Sequence, residues 1–274
     1  MNPETAPAHA GPRTWTHRSA RLRLLLWLGW LALVALCVFC WRVMTADTMW
    51  IFVADAPRQA ADIGSRMLPP RWSYLPELLG PLWDTINIAT LGTIGGVLLA
   101  IPVALLAARN TTPSRQFLRP VALFLIVASR SINSLIWALL LVAMIGPGLL
   151  AGIVAIALRS IGFVGKLLYE AIEEVEQSQV EAVRATGASG AQVLTYGIVP
   201  QVLPAFWSIS VFRWDINIRE STVLGLVGAG GIGLKLQASL NVLAWPQVTL
   251  ILLLILATVL LSEWVSARVR RALI

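Results

Sequence analysis

Long apolar runs separated by short polar stretches make up most of the chain. The six runs cover residues 24–43, 82–108, 121–145, 149–168, 202–218 and 246–265. A helix of about 20 apolar residues matches the hydrocarbon thickness of a bilayer. The pattern therefore predicts an all-α integral membrane protein with about six transmembrane helices.

Basic residues cluster at the ends of these runs. Four arginines lie in residues 1–23, three in the short segment 109–119, and three at 268–271. Cytoplasmic segments next to membrane spans carry an excess of arginine and lysine. With six spans, the distribution predicts that both termini, the 109–119 loop and the 169–200 loop lie in the cytoplasm.

The same pattern divides the chain into segments. We expect a disordered cytoplasmic tail at 1–23, a first transmembrane anchor helix at 24–43 that is too long for a cleaved signal peptide, and an external loop at 44–81 with room for a short helix. A transmembrane domain is predicted at 82–268. It contains the long cytoplasmic loop 169–200, and a short cytoplasmic C-terminus follows at 269–274.

Composition supports a membrane protein. The chain is 57% hydrophobic and 13% charged, against about 25% charged in soluble domains. The net charge of +7 is therefore attributed to membrane topology, and no nucleic acid partner is expected. Cys37 and Cys40 lie within an apolar run without a second ligand pair, so no metal site is predicted.

One polar segment inside the 169–200 loop carries a recognisable pattern. It reads Glu181-Ala182-Val183-Arg184-Ala185-Thr186-Gly187, with Ala188 next and Pro200 further on. We expect a glutamate-bearing helix, a sharp reversal at Gly187 and a second short helix that ends before Pro200. Together they form an exposed knob.

This segment resembles the EAA motif of ABC-importer permeases, although Val183, Gly197 and Val199 depart from the usual residues. The run from Val223 to Gly233 is similar to the corresponding region of phosphonate and phosphite importer permeases. The resemblance implies a type I ABC importer permease fold. It also implies that contact with an ATPase is made by the coupling residues: Glu181, Ala182, Gly187, Ala188 and Pro200.

The same resemblance implies a set of partners. They are a second permease subunit, identical or paralogous, two cytoplasmic ATPases and an external binding protein that delivers the solute. The chain lacks a phosphate-binding loop of its own, so ATP and magnesium are expected only in the partner ATPase. The implied solute is a phosphonate, phosphite or phosphate-like oxyanion, with methionine or another small solute as the alternative.

An intramembrane enzyme is a further alternative. His-based chemistry of that kind needs histidines within the spans, whereas His9 and His17 both lie in the tail. The dinucleotide-binding spacing Gly228-x-Gly230-x-x-Gly233 also occurs, but no strand and helix are predicted around it. We expect these glycines to allow a chain break or close packing.

Charged and polar residues within the spans are costly and mark either buried pairs or a solute pathway. Helical spacing places Arg213, Asn217 and Glu220 on one face and makes Asp215 and Arg219 an i, i+4 pair. Structural ion pairing and an oxyanion pathway are both open. The candidate pathway residues are Arg130, Arg213, Asn217, Arg219 and Ser221, and Arg159 is a further charge within a span.

Two more side-chain patterns concern packing. Gly92, Gly96, Ala100, Ala104 and Ala108 form a stripe of small residues that lets another helix approach closely. In the third run, spacing predicts that Arg130, Asn133, Ser134 and Trp137 share one helix face.

Overall fold

The computed structural model describes residues 20–273 of the chain. Most of the predicted tail at 1–23 thus lies outside the described residues. Residues 20–273 form eleven α-helices and contain no β-strand, which confirms the predicted all-α class. The helices are α1 (Ala20–Thr45), α2 (Trp50–Met67), α3 (Leu75–Ala107), α4 (Leu118–Ser131), α5 (Ser134–Ile145), α6 (Leu149–Glu173), α7 (Gln177–Ala185), α8 (Gly190–Gln192), α9 (Val199–Leu224), α10 (Ile232–Asn241) and α11 (Trp245–Leu273).

Within the described part of the chain, five segments are long and apolar enough to cross a membrane. They are Arg21–Thr45, Trp72–Ala107, Leu149–Glu173, Gly190–Val227 and Trp245–Ala272. The pair α4 and α5 adds a sixth crossing if the two bent helices count as one span. The prediction of about six spans is confirmed.

The chain divides into two compact units at residues 60 and 61. In the first, α1 is an apolar helix without buried residues in its membrane-length window, and Trp41 lies 6.4 Å from Trp50 between ring centroids. The segment predicted as an external loop contains α2, and α3 already begins at Leu75 within it, with Pro76 in its first turn. Proline is tolerated there because the first-turn N–H groups lack helical partners.

The third span is broken, which corrects the prediction of one continuous helix over 121–145. Helix α4 ends at Ser131, Ile132 is extended, and α5 begins at Ser134 with its axis bent by 89°. The side chain of Asn133 accepts the backbone N–H of Leu135 at 3.1 Å and so caps the new helix. Arg130 and Trp137 therefore lie on different helices and do not share one face, because capping at Asn133 starts a second helix in a new direction.

The core of the second unit is built where α3 packs along α6 and α9. Gly92 faces Ile156, and a Cβ on Gly92 would lie 2.7 Å from Ile156 Cγ2. Ala100, Ala104 and Ala108 further along are fully buried. The predicted small-residue stripe is confirmed as a surface of close helix packing.

A tight glycine-rich turn follows α9. Gly228, Gly230 and Gly231 have φ values of +87°, +86° and +75°, a region that side chains with a Cβ rarely adopt. The turn packs on α3, where the Thr85 hydroxyl oxygen accepts the backbone N–H of Ile232 at 2.8 Å. The expectation of a chain break with close packing at these glycines is confirmed.

Candidate functional site

A buried polar network joins the three central helices. Arg213 on α9 donates from Nε to Ser160 Oγ on α6 at 3.0 Å. Asn217 donates from Nδ2 to the same oxygen at 3.0 Å and to Thr93 Oγ1 on α3 at 2.7 Å. These four side chains are all at most 5% exposed. Hydrogen bonds inside the bundle thus pair most of these polar groups, and Asn217 Oδ1 has no hydrogen-bond partner among the described residues.

Glu220 lies between two guanidinium groups. One carboxylate oxygen is 3.5 Å from Arg213 Nη2, and the other is 3.6 Å from Arg159 Nε on α6. The side chain of Arg213 is 1% exposed and that of Arg159 is 29% exposed. The prediction that Arg213, Asn217 and Glu220 share one helix face is confirmed, and Glu220 forms an ion pair with each of the two arginines.

A second ion pair lies on the neighbouring face of α9. Arg219 pairs with Asp215 one turn earlier, as the sequence predicts. Asp215 is buried and also accepts the hydroxyl of Ser262 on α11 at 2.7 Å. Arg219 itself stays half exposed, at 49% of its side chain. The buried carboxylate therefore attaches α9 to α11 and holds a cation at the surface of α9.

These groups border a cleft of about 370 Å³, here named the charged cleft. Its polar wall is formed by Asn133, Ser134, Arg159, Arg219 and Glu220, and three apolar side chains complete it. In and directly behind this wall, three arginines share two carboxylates: Arg159, Arg213 and Arg219 with Asp215 and Glu220. Among the described residues of this cluster, positive charge is in excess by one.

The predicted pathway residues are placed unequally around this cleft. Arg219 lines the charged cleft, and Arg213 lies behind it in the interior. Ser221 is fully buried and donates to the carbonyl of Ile218 at 2.8 Å. Arg130 is exposed on α4. Their roles in transport stay predictions.

Four of the five polar residues of the cleft wall were not in the candidate set predicted from the sequence: Asn133, Ser134, Arg159 and Glu220. Arg159 had only one signal, a charge within an apolar helix. Its Nη1 donates to Asn133 Oδ1 at 3.1 Å and lies 3.4 Å from Ser134 Oγ. Asn133 and Ser134 reach the cleft only because the span breaks at Asn133, and the apolar periodicity of 121–145 does not report such a break.

The exposed knob predicted in the 169–200 loop is formed by residues 177–198. Val180 of α7 is 2% exposed and packs on the backbone of Gly197. The chain then reverses at Gly187, which has φ +80°, and Ser189 caps the next helix through the backbone N–H of Gln192. Glu181, Ala182, Gly187 and Pro200 are exposed, and Ala188 is half-buried.

The second half of the knob differs from the prediction. The chain remains helical from α8 through a π-helical segment, Val193–Ile198, into α9, so no helix ends before Pro200. Pro200 has no N–H and its ring crowds the carbonyl four residues earlier, and the wider π-helical turn accommodates both effects. The knob is therefore continuous with the α9 span that carries Arg213 and Glu220.

The segment that leads into the knob is attached to two other elements. Glu173, at the end of α6, accepts the backbone N–H of Arg109 at 2.8 Å and is 3.6 Å from Arg119 Nη2. Gln201 of α9 accepts the backbone N–H of Glu176 at 2.9 Å. The 109–119 loop and the 169–200 loop thus lie together at one end of the bundle, where the sequence predicts the cytoplasm.

Membrane-crossing helices around a charged cleft, with an exposed knob continuous with one of them, define a solute permease. The chain belongs to the family of binding-protein-dependent transport system inner membrane components, whose model matches residues 100–273. It is a multi-pass membrane protein and a transport subunit, not an enzyme.

Known relatives share most of the chain. The phosphite transport system permease protein PtxC of Stutzerimonas stutzeri is 39% identical over 246 residues, which cover 89% of this chain and 88% of PtxC. The phosphate-import permease protein PhnE of Mycolicibacterium smegmatis is 39% identical over 88% of this chain and 44% of PhnE. The sequence resemblance to ABC-importer permeases is confirmed by these relatives.

A solved structure shows the same fold. An inward-facing conformation of the MetNI methionine ABC transporter superposes with a TM-score of 0.65, over 74% of this chain and 99% of the matched chain, at 21% identity. That likeness establishes the type I ABC importer permease fold. At this identity it carries no argument for methionine as the solute.

Proposed function

We propose that the chain is the permease subunit of an ATP-driven importer for phosphonates, phosphite or phosphate-like oxyanions. The observation that carries the proposal is the excess positive charge at the charged cleft. Arg159 and Arg219 both line this cleft, and both lie on helices long enough to cross the membrane. A net cation is expensive in this layer and is retained where an anion passes. The relatives that transport phosphite and phosphate support the same solute class.

The chemistry of the cleft suits such an anion. Guanidinium groups present planar forks of N–H donors that match the oxygens of a phosphonate or phosphate. Asn133 and Ser134 add neutral polar groups beside Arg159. The cleft lies along α9, so alternating access by tilting of this span opens it first to one side of the membrane and then to the other.

The knob is the proposed docking site for the ATPase. Its exposed residues Glu181, Ala182 and Gly187 face away from the bundle, and a groove of about 490 Å³ lies between Val183 and Tyr196. A rigid knob continuous with α9 converts closure of the ATPase into movement of the span. ATP and magnesium are bound by the partner ATPase, so this chain needs no cofactor of its own.

The complete transporter in this proposal contains two permease subunits, identical or paralogous, two ATPases and an external binding protein for the phosphonate. The knob and the 109–119 loop face the cytoplasm, because the loop with clustered arginines lies at that end of the bundle. Both termini are assigned to the cytoplasm by the arginines in their own sequence. Arg219 lines the solute route in this arrangement, and Ala188 and Pro200 couple the permease to the ATPase together with the exposed residues of the knob.

Uptake by the reconstituted complex tests the proposal. Proteoliposomes containing the permease, its ATPase and its binding protein are loaded with ATP, and uptake of 2-aminoethylphosphonate, methylphosphonate, phosphite, phosphate and methionine is compared. We expect ATP-dependent uptake of at least one phosphorus oxyanion and none of methionine. Uptake of methionine alone would keep the permease and reject the anion pathway.

A second experiment tests the knob. Substitution Glu181→Lys is expected to abolish copurification of the ATPase, because it reverses a charge on the exposed face of α7. Substitution Asp55→Lys makes the same charge change on α2, which is predicted to be external, and is the matched control. Equal ATPase recovery from both variants would reject the knob as the docking site.

A further inference from the structure

Arg159 has unused hydrogen-bonding capacity at the charged cleft. A guanidinium group carries five N–H donors. Nη1 of Arg159 contacts Asn133 Oδ1 at 3.1 Å and Ser134 Oγ at 3.4 Å, and Nε faces Glu220 at 3.6 Å. Nη2 makes no hydrogen bond to any residue between 20 and 273. The side chain is also 29% exposed and lines the cleft.

The ion pair between Arg159 and Glu220 is loose. Charge-assisted N–H···O hydrogen bonds measure about 2.7–2.9 Å, whereas this pair is separated by 3.6 Å. Glu220 is also 3.5 Å from both terminal nitrogens of Arg213 through its two oxygens. Glu220 is thus shared, and it keeps a cationic partner if Arg159 turns away.

We propose that Arg159 binds the oxyanion directly and that Glu220 is its counter-ion in the empty cleft, exchanged for the anion when the solute enters. The proposal rests on the proposed function, since it names the binding residue for that solute class. No bond is made or broken in this exchange. Arg159 changes its partner from a carboxylate of the protein to an oxygen of the solute.

Burial separates Arg159 from the other two arginines. Arg213 is 1% exposed and is held by Ser160 and Glu220, so it serves to keep Glu220 in place. Arg219 lies next to its own carboxylate, Asp215, which no other arginine between residues 20 and 273 shares. Movement of Arg219 to a solute would leave the buried Asp215 with only the Ser262 hydroxyl. Exchange at Arg159 alone leaves every buried charge paired.

The exchange also explains how a transporter holds its solute weakly. The carboxylate of Glu220 competes with the bound anion for the guanidinium group of Arg159. The favourable free energy of anion binding is therefore reduced by the loss of the ion pair with Glu220. When the helices move, return of Glu220 to Arg159 favours release of the anion. Competition of this kind limits affinity while keeping selectivity for anions.

Substitution Asn133→Asp tests the proposal with little change in shape. Asp caps a helix as well as Asn does, so the start of α5 is preserved. The new carboxylate lies where Asn133 Oδ1 is now, 3.1 Å from Arg159 Nη1, and repels an entering anion. We expect the KM for the transported oxyanion to rise about tenfold or more, with normal assembly. An unchanged KM would overturn the proposal, because the added carboxylate competes with the anion for Arg159.

Substitution Arg159→Gln provides the second test. It leaves the pair between Arg213 and Glu220 intact, and we expect assembly with the ATPase but at least a tenfold loss of uptake. Substitution Arg58→Gln removes one exposed arginine of α2 and is the matched control. An Arg159→Gln complex that transports like the Arg58→Gln control would overturn the proposal. A complex that fails to assemble would also count against it, because Arg159 would then be a structural residue.

The outcome is separate from that of the proposed function. If the unmodified complex takes up none of the phosphorus oxyanions, the proposed function fails and Arg159 has no anion to bind. If the unmodified complex takes up a phosphonate or phosphite and Asn133→Asp leaves its KM unchanged, only the role of Arg159 is rejected.

Discussion

The carboxylate of Glu173 accepts the backbone N–H of Arg109 at 2.8 Å across 64 positions of sequence. The same oxygen is 3.6 Å from Arg119 Nη2. One side chain at the end of α6 therefore fixes the loop between α3 and α4 beside the start of the knob. The arginines of this loop act as topology signals in the sequence and as structural contacts in the fold.

Substitution Glu173→Ala is expected to lower the stability of the permease and the coupling of ATP hydrolysis to uptake. Loss of a charge-assisted hydrogen bond costs about 1–3 kcal/mol. The number of solute molecules transported per ATP and the melting temperature in detergent measure the two effects. Glu174→Ala removes the neighbouring exposed glutamate and is the control, and equal behaviour of both variants would contradict the prediction.

Because α3 and α6 lie close together at Gly92, a larger side chain there is expected to lower the stability of the protein. A Cβ there would lie 2.7 Å from Ile156 Cγ2, so Gly92→Ala forces the helices apart and costs about 1–3 kcal/mol. At Gly95 a new Cβ meets Ala157 Cβ at an ordinary 3.7 Å. Thermal unfolding should thus distinguish Gly92→Ala from Gly95→Ala, and a smaller effect at Gly92 than at Gly95 would show that the packing is different.

Substitution of Gly187 is expected to weaken ATPase binding through backbone conformation alone. It has φ +80° with open space around its Cβ position, so Gly187→Ala meets no neighbour but strains the reversal of the knob by about 1–2 kcal/mol. We expect weaker copurification of the ATPase with an unchanged yield of the permease. Gly190 has equally open space without a positive φ, and Gly190→Ala should retain the ATPase.

A buried and an exposed ion pair of the same i, i+4 spacing are expected to contribute differently to the stability of the protein. Asp215→Ala removes the hydrogen-bond acceptor of Ser262 and the ion-pair partner of Arg219. The free energy of unfolding is expected to fall by about 1–3 kcal/mol. Asp62 pairs with Arg66 on α2 at the same spacing, but both side chains are more than half exposed. Asp62→Ala should cost at most about 1 kcal/mol. Comparable melting temperatures for the two variants would contradict the buried role of Asp215.

Local spacing was enough to predict much of the site. The i, i+4 relation of Asp215 and Arg219 and the shared face of Arg213 and Glu220 follow from one helix, and both pairs form in the structure. The reversal at Gly187 is local in the same way, because it depends on the backbone of one residue.

The break at Asn133 and the position of Arg159 were beyond local reasoning. Apolar residues continue on both sides of Asn133, so hydropathy reads one span where the structure has two helices at 89°. Arg159 meets Glu220 over 61 positions of sequence, and a single sequence does not state which helices lie side by side.

The sequence by itself determined the helical class, the approximate number of spans and the knob, because hydrophobic length, arginine position and a glycine at a reversal each act within one segment. Only the tertiary structure decided which charges meet between different helices. Arg213 is buried against Ser160 of α6 whereas Arg159 is left at the cleft, because burial is set by the packing of neighbouring helices and not by the residue type.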